Sequence, residues 1–317
     1  MGFLGDIGSA IMTPLYYAVS GILLVWHQVF SSFLSPESGW TWVLSIVGLT
    51  VTIRTLLIPL FVKQIKSSRN MQLLQPQIKA LQQKYKHDRQ KLQQEQMKLF
   101  QETGTNPLAS CLPLILQMPI FFALFRVLDQ AARNGGDGAR GFMSPENAEQ
   151  LQGAQLLGAR IADTFMNTDL TGTRVLTMSL VVVMVATQFV TQRQLMAKNM
   201  PADALSGPYA QQQKMLLYIL PFVFAISGVI FPLGVLFYWV TSNIWTMGQQ
   251  FYVIRNNPGP GTPAFKAKQE RDAKKGKNVI EDPLDAAKNA AIEAEPPKPA
   301  RQQPKKQARS KRKKGGK

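Results

Sequence analysis

Hydrophobic residues in this chain are concentrated in long uninterrupted stretches. Four stretches are rich in Leu, Ile, Val and Phe and almost free of charge, and a fifth carries a single arginine. Each is about 17–23 residues long, which at about 1.5 Å per residue matches a hydrocarbon core of about 30 Å. The pattern therefore predicts an all-α membrane protein with five transmembrane helices. The four charge-poor stretches are 108–125, 175–192, 215–231 and 233–251, and the fifth is 40–62.

The first part of the chain has a different pattern. Within 11–34, apolar residues from Met12 to Phe33 recur at helical spacing, and polar residues fall largely on the opposite side. This arrangement is typical of a helix that lies in the membrane interface. We therefore interpret 1–38 as an amphipathic helix at the outer surface. A sixth spanning helix is the alternative.

Residues 63–106 are polar but strongly helical in composition. They are rich in Gln, Lys and Leu and nearly free of Gly and Pro. One apolar stripe runs from Met71 to Tyr85, a second begins at Leu92, and the polar residues 86–89 separate the two stripes. The pattern predicts an antiparallel helical hairpin that projects from the membrane. A plain linker between spans is the alternative, but a linker needs no apolar stripe on both arms.

The same reasoning divides the rest of the chain. Residues 252–317 are predicted to be disordered, because Pro, Lys, Ala and Gln dominate there without apolar periodicity. The predicted segments are transmembrane helices at 39–62, 107–128, 173–192, 213–231 and 233–251, the hairpin at 63–106, an outer loop at 129–172 and an inner loop at 193–212.

Basic charge is distributed unevenly and predicts the orientation. The formal net charge is +17, and residues 256–317 hold 17 Lys and Arg against 7 Asp and Glu. The hairpin and the 193–212 loop are basic as well. Because basic loops stay on the cytoplasmic side, we expect the N-terminus outside and the C-terminus in the cytoplasm.

The end of the tail is the most basic part of the chain. Residues 298–317 contain ten basic residues and no acidic one. Such runs bind RNA through counterion release, so we expect the tail to bind the ribosome. Attachment to anionic phospholipid headgroups is the alternative. The residues assigned to this contact are Lys305, Lys306, Arg309, Lys311, Arg312, Lys313 and Lys314.

Arg54 is the most informative single position. It lies nine residues before Lys63, hence about 13 Å inside the end of the first span. A guanidinium at this depth costs about 2.5–3.5 kcal/mol on insertion scales. The charge-poor stretches contain no Asp or Glu that could pair with it. The sequence therefore predicts that Arg54 faces a hydrated cavity open to the cytoplasm, although snorkelling could relieve part of the cost.

Polar residues in other spans could line the same cavity. Gln117 lies in the second span, Gln188 in the third and Asn243 in the fifth. Taken singly, such residues more often hold helices together through hydrogen bonds. Together with Arg54 they predict a polar interior without acids, which suits transient contact with a peptide.

No pattern in the chain points to catalysis. The single cysteine, Cys111, has no partner for a disulfide, and His27 and His87 lie far apart in sequence. No hydrolase, zinc-protease or nucleotide-binding motif is present. We therefore expect no enzymatic activity, no cofactor and no metal. A transporter or channel for an anionic solute is the alternative function, but five spans without internal repetition argue against it.

Three segments resemble the YidC/Oxa/Alb family of membrane insertases. They are 52–60, with Lys63-Gln64 just after, then 106–121 and 231–246. The resemblance covers about residues 14–252 with the segments in the expected order. It implies a protein that inserts nascent membrane proteins and helps them to fold, alone or with the Sec translocon, in the bacterial plasma membrane.

The resemblance also implies roles for particular residues. The helices would enclose a hydrophilic groove open to the cytoplasm and to lipid. The groove arginine of the family corresponds to Arg54, and its polar contributions from the third and fifth spans to Gln188 and Trp245. The family's cytoplasmic hairpin corresponds to 63–104. The large periplasmic domain of Gram-negative members is absent, which implies a compact bacterial form.

Overall fold

The structure, a computed structural model, describes residues 2–106, 112–200 and 208–286. Nearly all of this part is helical, with one short antiparallel β-ribbon between β1 and β2. The elements are α1 Gly2–Ser31, α2 Gly39–Leu56, α3 Ile58–Leu73, α4 Gln75–Lys84, α5 Arg89–Glu102, α6 Leu112–Asn134, a 3₁₀ turn Gly135–Gly138, α7 Pro145–Gly153, β1 Gln155–Leu156, β2 Ala159–Arg160, α8 Thr171–Asn199, α9 Pro208–Ile230, α10 Leu233–Asn256 and α11 Pro263–Lys274.

The first predicted span continues into the hairpin with no helix end at residue 62. The helix breaks instead at Leu57, between α2 and α3, because Pro59 follows in the first turn of α3 and has no backbone N–H to donate. Pro76 stands at the same place in α4, after a second break at Leu74. Helices α2, α3 and α4 therefore follow one another through two proline breaks.

A tight turn connects α4 to α5. It falls at Tyr85–Asp88, where the sequence predicts the turn of the hairpin. The Asp88 carboxylate accepts the Lys91 backbone N–H at 3.0 Å and so caps the start of α5. Helices α4 and α5 pack side by side across this turn. Their placement in the cytoplasm stays a prediction.

Helix α10 is central to the packing. It contacts both α2 and α8, while α1 packs on α2, α6 on α1, and α9 on α8. Gly48 lets α1 approach α2 closely, since a Cβ there would lie 2.5 Å from the Trp26 ring. The Trp26 indole N–H also donates to the Thr52 hydroxyl at 2.9 Å. The main core includes Leu23, Trp42, Ile46, Leu49, Leu124, Val127 and Val235.

Two of the described helices are long and apolar enough to cross a membrane by length and composition. They are α2, Gly39–Leu56, and α8, Thr171–Asn199. A shorter apolar stretch, Leu217–Ile230, lies in α9. Part of the predicted second span, 107–111, lies outside the described residues. The count of five spans stays a prediction.

The segment 129–172, expected to be a loop, is folded. It forms the 3₁₀ turn, α7 and the β-ribbon, whose turn residues Leu157 and Gly158 have φ of 52° and 74°, as in a tight hairpin. It lies over the start of α10, because the Leu233 N–H donates to the Asp163 carbonyl and the Gly234 N–H to the Ile161 carbonyl, both at 3.0 Å. Elements this short leave no long apolar period in the sequence.

The prediction of disorder for 252–317 is wrong over 252–286. Helix α10 runs to Asn256 and α11 follows. The Asp282 carboxylate accepts the Gly261 N–H, with its two oxygens at 2.8 and 3.0 Å. Such capping contacts order the chain without an apolar repeat that a sequence pattern would reveal. Residues 287–317, including the seven basic residues from Lys305 to Lys314, lie outside the described part.

Candidate functional site

Arg54 lies in the last turn of α2 and reaches toward α10. Its guanidinium donates to the Ser242 hydroxyl, from Nε at 3.1 Å and also from Nη2. The Phe61 ring lies 5.9 Å from the guanidinium carbon. Among the described residues no carboxylate is within salt-bridge distance of Arg54. The arginine is therefore held by a neutral hydroxyl, and its positive charge is not neutralised by these neighbours.

Two further polar side chains extend this contact to a third helix. Tyr238 lies one turn before Ser242 on α10, and both are buried, at 3% and 4% exposure. Gln117 on α6 donates from its amide nitrogen to the Tyr238 hydroxyl. We call Arg54, Ser242, Tyr238 and Gln117 the arginine network. It connects α2, α6 and α10, so it also holds the three helices together.

Aromatic rings fill the bundle between this network and the turn before α10. Phe121 on α6 lies 6.2 Å from Tyr238 and 5.3 Å from Trp239, measured between ring centroids. Phe231 packs on both Phe125, at 5.2 Å, and Trp239, at 5.7 Å. These rings occupy the space between α6 and α10 toward the start of α10, so the opposite side of the network is the one toward the end of α10.

A groove runs between α3 and α10 on that opposite side. Its volume is about 550 Å³, and its walls are mainly apolar. Two cations, Lys66 and Arg69, also line it, and Trp245 is the one predicted groove residue in its wall. The apolar lining residues are Ile58, Val62, Ile65, Ile244, Tyr252 and Val253. Arg54 does not line this groove, so a hydrophilic groove around Arg54 stays a prediction.

The other predicted site residues are placed separately. Gln188 on α8 and Asn243 on α10 are half-buried, and neither hydrogen-bonds to Arg54 in the described part of the chain. The Trp245 indole N–H is buried without a hydrogen-bond partner there. The structure thus brings Arg54 and Gln117 into one network and leaves Gln188, Asn243 and Trp245 outside it.

Tyr238 is the network residue that sequence reasoning missed. A tyrosine in an aromatic-rich span resembles an ordinary packing residue. The available signal was its spacing of four residues from Ser242, which places both hydroxyls on the same face of one helix. Ser242 is one of several polar residues in the last span, and no local pattern distinguishes it from the others. Only its contact with Arg54 on α2 identifies Ser242 as a member of the network.

Comparisons with known proteins identify the relatives of this chain. A family model described as 60Kd inner membrane protein matches residues 33–260. A protein from Streptomyces avermitilis named Membrane protein insertase YidC is 45% identical over 262 residues, covering 80% of this chain and 60% of that protein. A protein of the same name from Mycolicibacterium paratuberculosis is 36% identical over 265 residues, covering 76% of this chain and 74% of that protein. A third protein of this name, from Tropheryma whipplei, is 32% identical over 277 residues, covering 82% of this chain and 89% of that protein.

Similarity extends to a solved structure. It is described as an active YidC insertase crystal structure with the first transmembrane domain resolved. The sequence identity is 24%, the match covers 74% of this chain and 46% of that chain, and the TM-score is 0.46. The chain thus spans less than half the length of that protein, and 60% of the length of the Streptomyces relative.

Proposed function

Since the chain belongs to the 60Kd inner membrane protein family, we propose that it is a membrane protein insertase of the bacterial inner membrane. It inserts client membrane proteins and helps them to fold. The observation that carries this proposal is the arginine network. An arginine within the helix bundle is bound by the neutral Ser242 hydroxyl, and the three relatives described above, at 45%, 36% and 32% identity, are named membrane protein insertases.

The charge of Arg54 acts on the client. A neutral hydroxyl accepts hydrogen bonds from the guanidinium but does not cancel its charge, whereas a carboxylate partner would. An acidic or polar residue in the crossing part of a client is therefore attracted toward Arg54, and this lowers the barrier to its transfer. In a medium of low dielectric constant such an attraction is much stronger than in bulk water.

The apolar groove receives the hydrophobic part of the client. Its walls on α3 and α10 are mainly apolar, and it passes Trp245 on the way to Lys66 and Arg69. A client helix that lies there loses little apolar contact when it moves on into lipid. The part of its apolar surface that still faces water in the groove is buried in the bilayer, at about 25 cal/mol per Å², and this favours release. No nucleotide hydrolysis is needed for this step.

We also propose the membrane arrangement and the partners. The chain spans the membrane five times, with the N-terminus and the 129–172 segment outside and the C-terminus in the cytoplasm. The α4–α5 hairpin then lies on the cytoplasmic side, where nascent clients first meet the protein. The basic tail, from Lys305 to Lys314, contacts the ribosome or anionic phospholipids, and the Sec translocon is a further partner.

Reconstituted vesicles test the role of Arg54. Insertion of a client with an acidic translocated end is compared with insertion of the same client with a neutral end. We expect Arg54→Ala to lower insertion of the acidic client by about tenfold, which corresponds to about 1.4 kcal/mol, and Arg54→Lys to retain most of it because the charge remains. Arg193→Ala removes the same charge from an exposed position of α8 and serves as the control.

Two results would argue against the proposal. Equal insertion by wild type, Arg54→Ala and Arg54→Lys would remove the Arg54 charge from the mechanism. Flux of an anionic solute into the same vesicles, abolished by Arg54→Ala while insertion is unchanged, would favour a transporter instead.

A further inference from the structure

A concave pocket lies at the end of the bundle that carries the 129–172 segment, far from the groove between α3 and α10. It has a volume of about 570 Å³ and lies between α1, α6 and the Ala139–Gly141 backbone. Its polar lining consists of one hydroxyl, two phenols and two guanidinium groups and includes no carboxylate. These side chains belong to Thr13, Tyr16, Tyr17, Arg126 and Arg140.

The two arginines of this pocket lack the counter-charges that their neighbours have. Arg133 pairs with Asp129 at 2.7 Å and Arg160 with Asp163 at 3.6 Å. Among the described residues, neither Arg126 nor Arg140 pairs with a carboxylate. The Arg140 Nε is buried and has no hydrogen-bond partner in the same part of the chain. The pocket therefore offers N–H donors and positive charge to an anion that binds from outside.

The loop that carries Arg140 is fixed on α1. The Phe142 N–H donates to the Ser20 hydroxyl at 2.9 Å, and that hydroxyl donates in turn to the Tyr16 carbonyl at 2.7 Å. Gly141 has a φ of +65°, and a Cβ on it would lie 2.3 Å from the Ser20 oxygen. Because this backbone is held by α1, little ordering cost remains when a ligand binds.

An exposed apolar stripe runs along α6 from the pocket. Phe122 and Met118 lie four and eight residues before Arg126, so all three share one face of the helix. Phe122 is 49% exposed and Met118 43% exposed. A free phosphate ion would make no use of these side chains, whereas the acyl chains of a lipid would lie against them while its headgroup reaches Arg126.

We propose that this pocket binds the phosphate of an anionic phospholipid in the leaflet at this end of the bundle. The forked guanidinium groups of Arg126 and Arg140 contact the phosphate oxygens, a geometry for which arginine is suited. The acyl chains follow Phe122 and Met118. The bound lipid then joins α1 to α6. This site is separate from the basic tail and does not depend on the insertase activity.

Thermal unfolding of the full-length protein in neutral detergent tests the site. Phosphatidylglycerol, phosphatidylcholine and inorganic phosphate are added separately. A ligand that binds only the folded state raises Tm, so we expect phosphatidylglycerol to raise Tm by several degrees and the other two to have little effect. In Arg126→Gln/Arg140→Gln the rise should fall by about two-thirds or more. In Arg133→Gln, which loses the same charge outside the pocket, the rise should match wild type.

These variants distinguish loss of lipid binding at the pocket from unfolding of the protein. The basic tail is present in every variant, so any lipid that it binds contributes equally. Arg126 is exposed, so Arg126→Gln alone keeps the fold and should reduce the rise by itself if the double variant is unstable. The proposal is overturned if wild type shows no rise, if the variants keep the full rise, or if phosphatidylcholine raises Tm equally. An equal rise with inorganic phosphate would assign the pocket to a free anion and refute the lipid.

Discussion

Removal of the Ser242 hydroxyl tests whether water reaches the Arg54 guanidinium. In the structure this hydroxyl accepts hydrogen bonds from both Nε and Nη2 of Arg54. Ser242→Ala deletes the acceptor, leaves the helix-forming tendency of α10 intact and adds no bulk. Two other described groups lie near the guanidinium. The Phe61 ring, at 5.9 Å, accepts no conventional hydrogen bond, and the Tyr238 hydroxyl already accepts one from Gln117. The donors must then bind water or remain unsatisfied.

The two cases differ in free energy. If water replaces the hydroxyl, the loss is close to the value for an interhelical hydrogen bond in a membrane protein, about 0.6 kcal/mol on average. If the site is dry, buried charged donors are left without an acceptor, and the cost exceeds the roughly 1–3 kcal/mol of a neutral unsatisfied group. Because the proposed mechanism requires a hydrated arginine, we expect Ser242→Ala to lower the free energy of unfolding by about 0.5–1 kcal/mol.

Equilibrium unfolding in mixed micelles, with increasing denaturing detergent, measures the difference. Thr246→Ala is the matched control, because it removes a hydroxyl one turn further along α10 that bonds, within the described ranges, only to the Ser242 carbonyl, at 2.8 Å. The two variants should lie within about 0.5 kcal/mol of each other, the usual range for exposed or solvated positions. A loss of about 3 kcal/mol or more for Ser242→Ala alone would mean that Arg54 is dry, and the proposed insertion route would fail.

Three further perturbations follow from the fold. Gly39→Ala should destabilise the protein by about 1–3 kcal/mol, since its Cβ would lie 2.3 Å from a carbonyl oxygen of the β-ribbon; thermal unfolding measures the loss, and Gly153→Ala, with open space around it, should cause none. Asp282→Ala should release the backbone of α11 and speed trypsin cleavage after its Lys and Arg in limited proteolysis, whereas the same change at the exposed Asp285 should leave the cleavage pattern unaltered. The full chain should co-sediment with ribosomes, and less so at higher salt, and deletion of 287–317 should abolish this binding. If the deletion removes binding to anionic vesicles and leaves ribosome binding unchanged, the tail binds lipid instead.

Much of the architecture was predictable from the sequence. The prediction of a mostly helical protein and the resemblance to the insertase family are both confirmed. Arg54 could be selected because a charge in an apolar stretch is visible without any structure. The number of spans, the orientation and the partners are still predictions. Order was expected to end at residue 251, but it continues to residue 286. The contact between Asp282 and Gly261 joins residues 21 apart and leaves no repeating pattern in the sequence.

The sequence by itself determined the helical class, the order of the apolar segments and the presence of one arginine among them, because apolar length and isolated charge are local properties. Only the tertiary structure decided which groups that arginine meets. Arg54 and Ser242 are 188 residues apart, and their contact depends on how α2 packs against α10. The same holds for the Arg126 and Arg140 pocket, which forms where α1, α6 and a loop converge. Contacts of this kind are set by the packing of distant elements, and no local pattern encodes them.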